Sequence, residues 1–315
     1  LEVLQDYGCN NVYVIKVPTG IDAAATATNI IGAENSGVKT GMQLFKDVWS
    51  IYREKPQLLL VPGYNTDAIL TAILAVASNI NVDALVLSSF TLGTSLGTAT
   101  TIRATTTGLG IKDARLIPCL IHLKNSIGEF VEPATHAAGL IAQTTLNKGF
   151  GYSPSNKPLI NVSSIEAGFT LSYVDENADN QKAENLGIFS INMNSDGYVG
   201  WGNRNALFVD NVNESFDSYI VLQRIEQVLN AKFEKVERFY IDEPCNFNTG
   251  KALETALRNT INDNSIPGNL VFGSTAFFNL QRTNYAAREL AYDIVIVSDL
   301  PTELITTTVQ YTVQM

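Results

Sequence analysis

The stretch from Pro56 to Leu87 constrains the fold most. Leu58-Leu59-Leu60-Val61 is a continuous apolar run, the pattern of a strand buried on both faces. Pro62-Gly63-Tyr64-Asn65 reads as a turn, and Thr66 with Asp67 suits the start of a helix, as cap and as first-turn charge. Ala68, Ile69, Ala72, Ile73, Val76 and Ala77 then recur at helical spacing, and Ala84-Leu85-Val86-Leu87 is a second apolar strand. Two buried strands joined by one helix form a crossover, which pairs them in parallel. The spacing therefore predicts an α/β fold.

The rest of the chain adds elements around this unit. Asn11 to Val17 is β-branched and reads as a strand; Ile21 to Asn29 is ambiguous. Pro133 to Leu146 reads as a small-faced helix with proline at its first position. Leu120 to Leu123, Leu159 to Val162 and Leu186 to Ile191 read as strands, and Asp175 to Glu184 as a polar surface excursion. Asn192 to Gly197 is a hairpin-like turn into Tyr198. Asp196 to Asn205 then holds three glycines, Tyr198, Trp201 and Arg204, a short strand with tight backbone and a tryptophan buried in a sheet corner.

Beyond it the character shifts. Ser218 to Val236 is an amphipathic helix with Ile225, Leu229, Phe233 and Val236 as its stripe. Arg224, Glu226, Lys232, Glu234 and Lys235 lie off that stripe, and Lys232 with Lys235 forms a basic face. Arg238 to Asp242 reads as a strand, Thr249 as the cap of a helix from Gly250 to Asn262, and Leu270–Leu280 with Leu290–Val297 as an antiparallel pair. Val309 to Met315 alternates strictly, with Val309, Tyr311, Val313 and Met315 on one face. Such a strand can pair within its own domain, which the pattern alone favours, or add to a neighbour's sheet edge.

Signals for chemistry are sparse. Gly93-Thr94-Ser95-Leu96-Gly97 matches the nucleophile elbow G-x-S-x-G, and Asp113 with His122 or His136 completes the order of a Ser-Asp-His triad. The elbow needs a helix after its serine, however. The threonines that follow are poor helix formers, so the segment reads as an exposed Thr/Gly loop. Gly32 to Thr40 nearly matches a phosphate loop, but Val38 separates Gly37 from Lys39 and spoils the register. Cys9, Cys119 and Cys245 are odd in number and far apart, so neither a zinc site nor a disulfide framework is indicated, and a reducing compartment fits. A net charge of -10 argues against general nucleic-acid binding and against docking to anionic membranes. No apolar run approaches the ~20 residues of a membrane span.

Five segments, in order, carry a resemblance. Gly197-Tyr198 with Trp201-Gly202-Asn203-Arg204 resembles the G-[FY]-x-x-W-G-x-R-T motif of contractile tail sheath proteins, found in contractile-tailed phages and phage-tail-like bacteriocins. Leu58 to Asn65 is similar to that family's strand ending in PGY, and Glu132 to Thr145 to its P-S-x-x-A-G-x-I-A-R-T-D helix. Gly149 to Lys157 resembles its G-x-W-x-S-P-S-N turn, and Phe216 to Pro244 its helix and strand ending in E-P. Asn205, Gly151 and Gln143 depart from the pattern, standing where Thr, Trp and Arg are usual.

The resemblance implies a mostly parallel α/β domain of subtilisin-like topology over residues 1–200, followed by an α+β C-terminal domain with antiparallel strands over 201–315. It implies a structural subunit with no enzymatic activity and no cofactor. Its partners would be copies of itself in stacked hexameric rings, the tail tube protein, and the baseplate and tail terminator proteins. Neither nucleic acid nor membrane insertion is among them. The location implied is the virion tail, assembled in the bacterial host cytoplasm. In the family, terminal segments add strands to neighbouring subunits, which marks Val309, Tyr311 and Val313. Trp201, Gly202 and Arg204 would sit at the junction of the two domains, Trp201 in its core and Arg204 as a lock on the turn. The opening Leu1-Glu2-Val3-Leu4-Gln5 reads as the middle of a longer chain lacking the family's N-terminal arm. The rival reading is an α/β hydrolase-like enzyme with Ser95 as nucleophile; a second is a small-molecule binding domain.

Overall fold

The computed structural model describes residues 1–9, 11–80, 84–208, 216–266, 269–270 and 273–298. It opens with a short helix, α1 (Glu2–Asp6). The segment from Asn11 to Val17 is not a strand. Among the described residues it has no ladder partner, and Val14 is exposed, so its β-branched side chains join no sheet there. Tyr13 and Asn11 instead tie it to Glu54 by side-chain hydrogen bonds. Helix α2 (Ala23–Ile31) follows, capped by Asp22, whose carboxylate accepts from Ala25 N–H at 2.7 Å. The near-miss phosphate loop is a tight hairpin of β1 (Glu34–Asn35) and β2 (Val38–Lys39). Ser36 and Gly37 both have positive φ at its tip, and Lys39 is spent on Asp47 at 2.6 Å. Helix α3 (Val48–Tyr52) leads to the central unit.

That unit is the expected crossover. β3 (Leu58–Leu60), α4 (Asp67–Ile80) and β4 (Leu85–Ser89) form it, with Leu58 opposite Leu85 in parallel register. The chain then turns into α5 (Leu96–Arg103), where a loop was expected. Local capping overrides the weak helix propensity of the threonines: Ser95 Oγ accepts from Thr98 N–H, and Thr100 and Thr101 bond back to carbonyls four residues earlier. β5 (Leu116–Cys119) pairs in parallel with β4, completing the order β3-β4-β5. Ile121, with φ of 73°, breaks the strand expected through His122. β6 (Leu123–Lys124), β7 (Phe130–Val131) and, later, β8 (Ser164–Ile165) form a small antiparallel sheet instead.

Helix α6 (Pro133–Asn147) covers one face of the parallel sheet. Its small residues let neighbours close in: a Cβ on Gly139 would lie 2.3 Å from the Tyr7 ring. Along β4, Leu85 and Leu87 pack with α6 and α1, while Val86 packs with α4 on the opposite face. This is the alternation of a strand buried on both faces. The segment after Pro158 does not form the expected strand. Pro158 and Leu159 pair briefly with the later hairpin, and Asn161 at φ 57° turns the chain away. The polar excursion contains α7 (Asp179–Asn185), whose Asn180 is fully buried and bonded to Ser172.

β9 (Ser190–Asn194) and β10 (Gly197–Trp201) form the hairpin around the glycine-rich stretch. Helix α8 (Ile220–Glu237) then packs on α9 (Phe247–Asn264) and on β11 (Thr275–Phe278), which pairs antiparallel with β12 (Tyr292–Val295). Arg224, placed off the apolar stripe by sequence, is buried. Lys232 is not a free surface charge either; it bonds Asn264 and lies over the Phe150 ring. Arg238 to Asp242 is a 3₁₀ helix running into a turn, not a strand, because α8 runs on through Glu237 and, among the described residues, no strand flanks it. The cap of α9 is Asn246, which accepts from Thr249 N–H at 3.0 Å, so the helix starts earlier than Thr249.

Candidate functional site

Two surfaces follow from this architecture: a polar seam where the sheet hands over to α8, and an open ribbon at β11–β12. The seam begins at Trp201. Its indole meets the Tyr173 ring edge-on, with centroids 5.1 Å apart. Gly202, at φ 116°, donates its N–H to Ser155 Oγ at 3.0 Å, a backbone conformation that disfavours a side chain. Asn203 is buried; its carbonyl accepts from Ile220 N–H and its Oδ1 from Val221 N–H, so it satisfies the exposed donors at the start of α8. Arg204 lies in an isolated bridge to Tyr219, with its guanidinium 4.4 Å above the Phe208 ring and 4.0 Å from Glu184. Asn205, where the family pattern has Thr, is fully buried. It donates Nδ2–H to Asp217 O at 2.6 Å and accepts from Leu207 N–H at 3.0 Å. A threonine hydroxyl cannot span both bonds in the way an amide does, which gives the departure a physical reason.

Further along, Arg224 and Gln227 of α8 close a buried knot with Gln57, just before β3. Arg224 donates to Gln57 Oε1 at 2.8 Å and to Thr145 at 3.2 Å, and Gln227 donates to Gln57 O at 2.5 Å. Burial lowers the Arg224 guanidinium to about 10. Sequence reasoning missed this knot, and missed Arg103. That arginine is completely buried and donates to the carbonyls of Leu186, Leu109 and Ala206. The available signal was a lone basic residue in an otherwise uncharged Thr/Gly stretch.

The ribbon is the second surface. Ala276, Phe278 and Tyr292 face the helices, and a Cβ on Gly250 would lie 2.4 Å from the Phe278 ring, so α9 and β11 touch closely. Phe277 and Val295 are exposed on the opposite face, and Ile294, Ile296 and Val297 are exposed as well. Among the described residues, neither strand has a second ladder partner. Val309, Tyr311 and Val313 lie outside the described residues.

Three members of the candidate triad are occupied elsewhere. Ser95 caps α5, Asp113 is bonded to Arg115 at 2.7 Å, and His136 bonds the Tyr7 hydroxyl at 3.1 Å. His122 faces Glu166. Cys119 is buried, Cys9 and Cys245 half-buried, and all three are free. Among the described residues, no group of three metal-ligating side chains is placed to hold an ion, and no helix is long and apolar enough to cross a membrane.

The arrangement is that of contractile sheath folds. The structure is similar to the contracted PVC sheath complex of an extracellular contractile injection system, at TM-score 0.68 and 18% identity, over 92% of this chain and 80% of that one. The profile of the phage tail sheath protein central domain matches residues 37–206, more than half of the 315 residues, and the chain belongs to that family. It is 28% identical over 229 residues to the tail sheath protein of Burkholderia phage BcepMu, covering 70% of this chain and 47% of that protein. It is also 28% identical over 204 residues to a putative prophage major tail sheath protein of Pseudomonas aeruginosa strain UCBPP-PA14, covering 62% and 51%. The chain thus spans about half the length of the curated relatives it matches.

Proposed function

We propose that this chain is the body of a contractile tail sheath subunit, a structural protein without enzymatic activity. Subunits stack as hexameric rings around a tail tube, between baseplate and tail terminator, and contract to drive the tube through a host envelope. Residues 1–200 serve as the α/β body, of subtilisin-like topology, and 201–315 as the part that links neighbours. The particle is a virion tail, assembled in the host cytoplasm.

The observation that carries this reading is the β11–β12 ribbon, which pairs two strands and exposes apolar side chains beside strand edges that are unpaired among the described residues. Such an edge takes an added strand, with main-chain bonds giving affinity and alternating side chains giving register. The segment with Val309, Tyr311 and Val313 has the alternation that a donor strand needs. Head-to-tail contacts of this kind do not close on themselves, so they build helical arrays.

Electron microscopy of the full-length protein and of a form ending at Pro301 tests it. Tubes or rings are expected from the first, and a folded, unassembled protein from the second. Normal helical tubes after the truncation would rule out strand exchange by this segment.

A further inference from the structure

The carboxyl ends of β3, β4 and β5 meet at a small cavity that assembly through the ribbon leaves unused. It holds about 160 Å³, well above the roughly 10–15 Å³ that one water needs. Tyr64 and Asn65 line it beyond β3, Ser89 and Phe90 at the end of β4, His122 beyond β5, and Glu132 before α6. Ligands of open parallel sheets bind at this edge.

The cavity is rich in acceptors and lacks cations. Among the described residues, no lysine or arginine lines it. Glu132 accepts from Gly63 N–H, and burial raises its carboxyl above the usual range. His122 is 6% exposed, and its Nδ1 has no hydrogen-bond partner. That atom stands 3.8 Å from Glu166 Oε2, beyond hydrogen-bond range. Glu166 is itself buried; Oε2 accepts from Gly93 N–H at 3.2 Å, and Oε1 has no partner. Burial outweighs the attraction of Glu166 and holds the His122 imidazole below its ordinary value, which favours the neutral ring, one nitrogen of which accepts. The backbone is bent to present this ring, since a β-branched residue at φ 73°, Ile121, immediately precedes it.

We propose that this cavity binds a small organic cation, a guanidinium or primary ammonium group, with Glu132 as counter-charge and the His122 imidazole as acceptor. The group arrives either on a free amine or guanidine, or on a lysine or arginine of a second copy of this chain. The inference does not depend on the sheath reading.

His122 and His136 are the only histidines, so imidazole NMR resolves both, with His136 as the internal control. Methylguanidinium is titrated against tetramethylammonium at matched ionic strength. A saturable shift of His122 alone is expected, with a midpoint on the order of 1–10 mM for a five-atom ligand. Tetramethylammonium gives none, and Glu132→Gln, which keeps an acceptor for Gly63 N–H, weakens binding at least tenfold. Circular dichroism checks that this variant is folded. Loss of self-assembly at methylguanidinium concentrations that saturate His122 assigns the site to a neighbour's side chain; unaffected assembly assigns it to a free ligand. A flat His122 titration through ~50 mM, or an equal shift in folded Glu132→Gln, overturns the proposal.

Discussion

Replacing Arg103 tests whether a polar core holds the central sheet and the β9–β10 hairpin together. Arg103 ends α5 with no exposed surface. Its Nε donates to Leu186 O at 3.0 Å, and its terminal nitrogens donate to Leu109 O at 2.6 Å and Ala206 O at 2.5 Å. Arg103→Met keeps the length and the apolar stem and removes every donor. Three buried carbonyls then lose these partners, at about 1–3 kcal/mol each. Relief of the buried charge offsets part of that sum, which leaves a loss of about 3–5 kcal/mol against a typical total of about 5–15 kcal/mol. Urea unfolding followed by tryptophan fluorescence reads it as a lower midpoint at unchanged slope. Arg103→Lys keeps the charge and one donor head but not the fork, so it falls between parent and Met variant. A Met variant within about 1 kcal/mol of the parent, or one more stable than the Lys variant, would refute the argument.

Three further outcomes are open to measurement. Burial lowers His136 from 6.5 to about 4; the unfolded chain therefore protonates first as pH falls. Stability is at its plateau above about 6.5 and is lost as pH falls toward 4, by up to about 3 kcal/mol, with urea midpoints less pH-dependent in His136→Gln than in the parent. Ser95→Ala removes the α5 cap and costs about 1 kcal/mol, while turnover of activated esters stays the same as in the parent; a drop in turnover would revive the hydrolase reading. Gly250→Ala drives a methyl against Phe278 and costs about 1–3 kcal/mol, and hydrogen exchange should quicken in β11 and β12 while β4 is unchanged.

The crossover was legible because its signal is redundant. Continuous apolar strands and a helical repeat each point to the same parallel pairing, and both survive any tertiary context. The helix of small residues at α6 and the antiparallel pair at β11–β12 were legible for the same reason. Errors fell where a tertiary partner decides. Asn11 to Val17 and Arg238 to Asp242 have strand composition but, among the described residues, no adjacent strand. Helix α5 forms against propensity because its hydroxyls satisfy its own first turn and because Arg103 anchors its end. In the seam, Trp201 and Arg204 were visible as large residues among glycines. Arg224, Gln227 and Asn203 were not, because a buried polar side chain looks like a surface one until its partners, Gln57 and the start of α8, are brought together by the fold.

The seam also bears on how a sheath subunit moves. Asn203 and Asn205 bind the chain before and at the start of α8, and the Gln57–Arg224–Gln227 knot binds its middle to the start of β3. Lys55 and Glu234 pair at 2.5 Å beyond that knot, and Phe150 N–H donates to Asn269 across the far side. An apolar interface tolerates sliding, because its energy varies little with register. A buried polar interface does not, because each shift leaves groups unpaired at about 1–3 kcal/mol apiece. Helix α8 is therefore fixed to the parallel sheet by bonds that a shift of register would break. In the proposed contraction, change belongs to the connections between subunits, and each subunit keeps its two halves in one orientation.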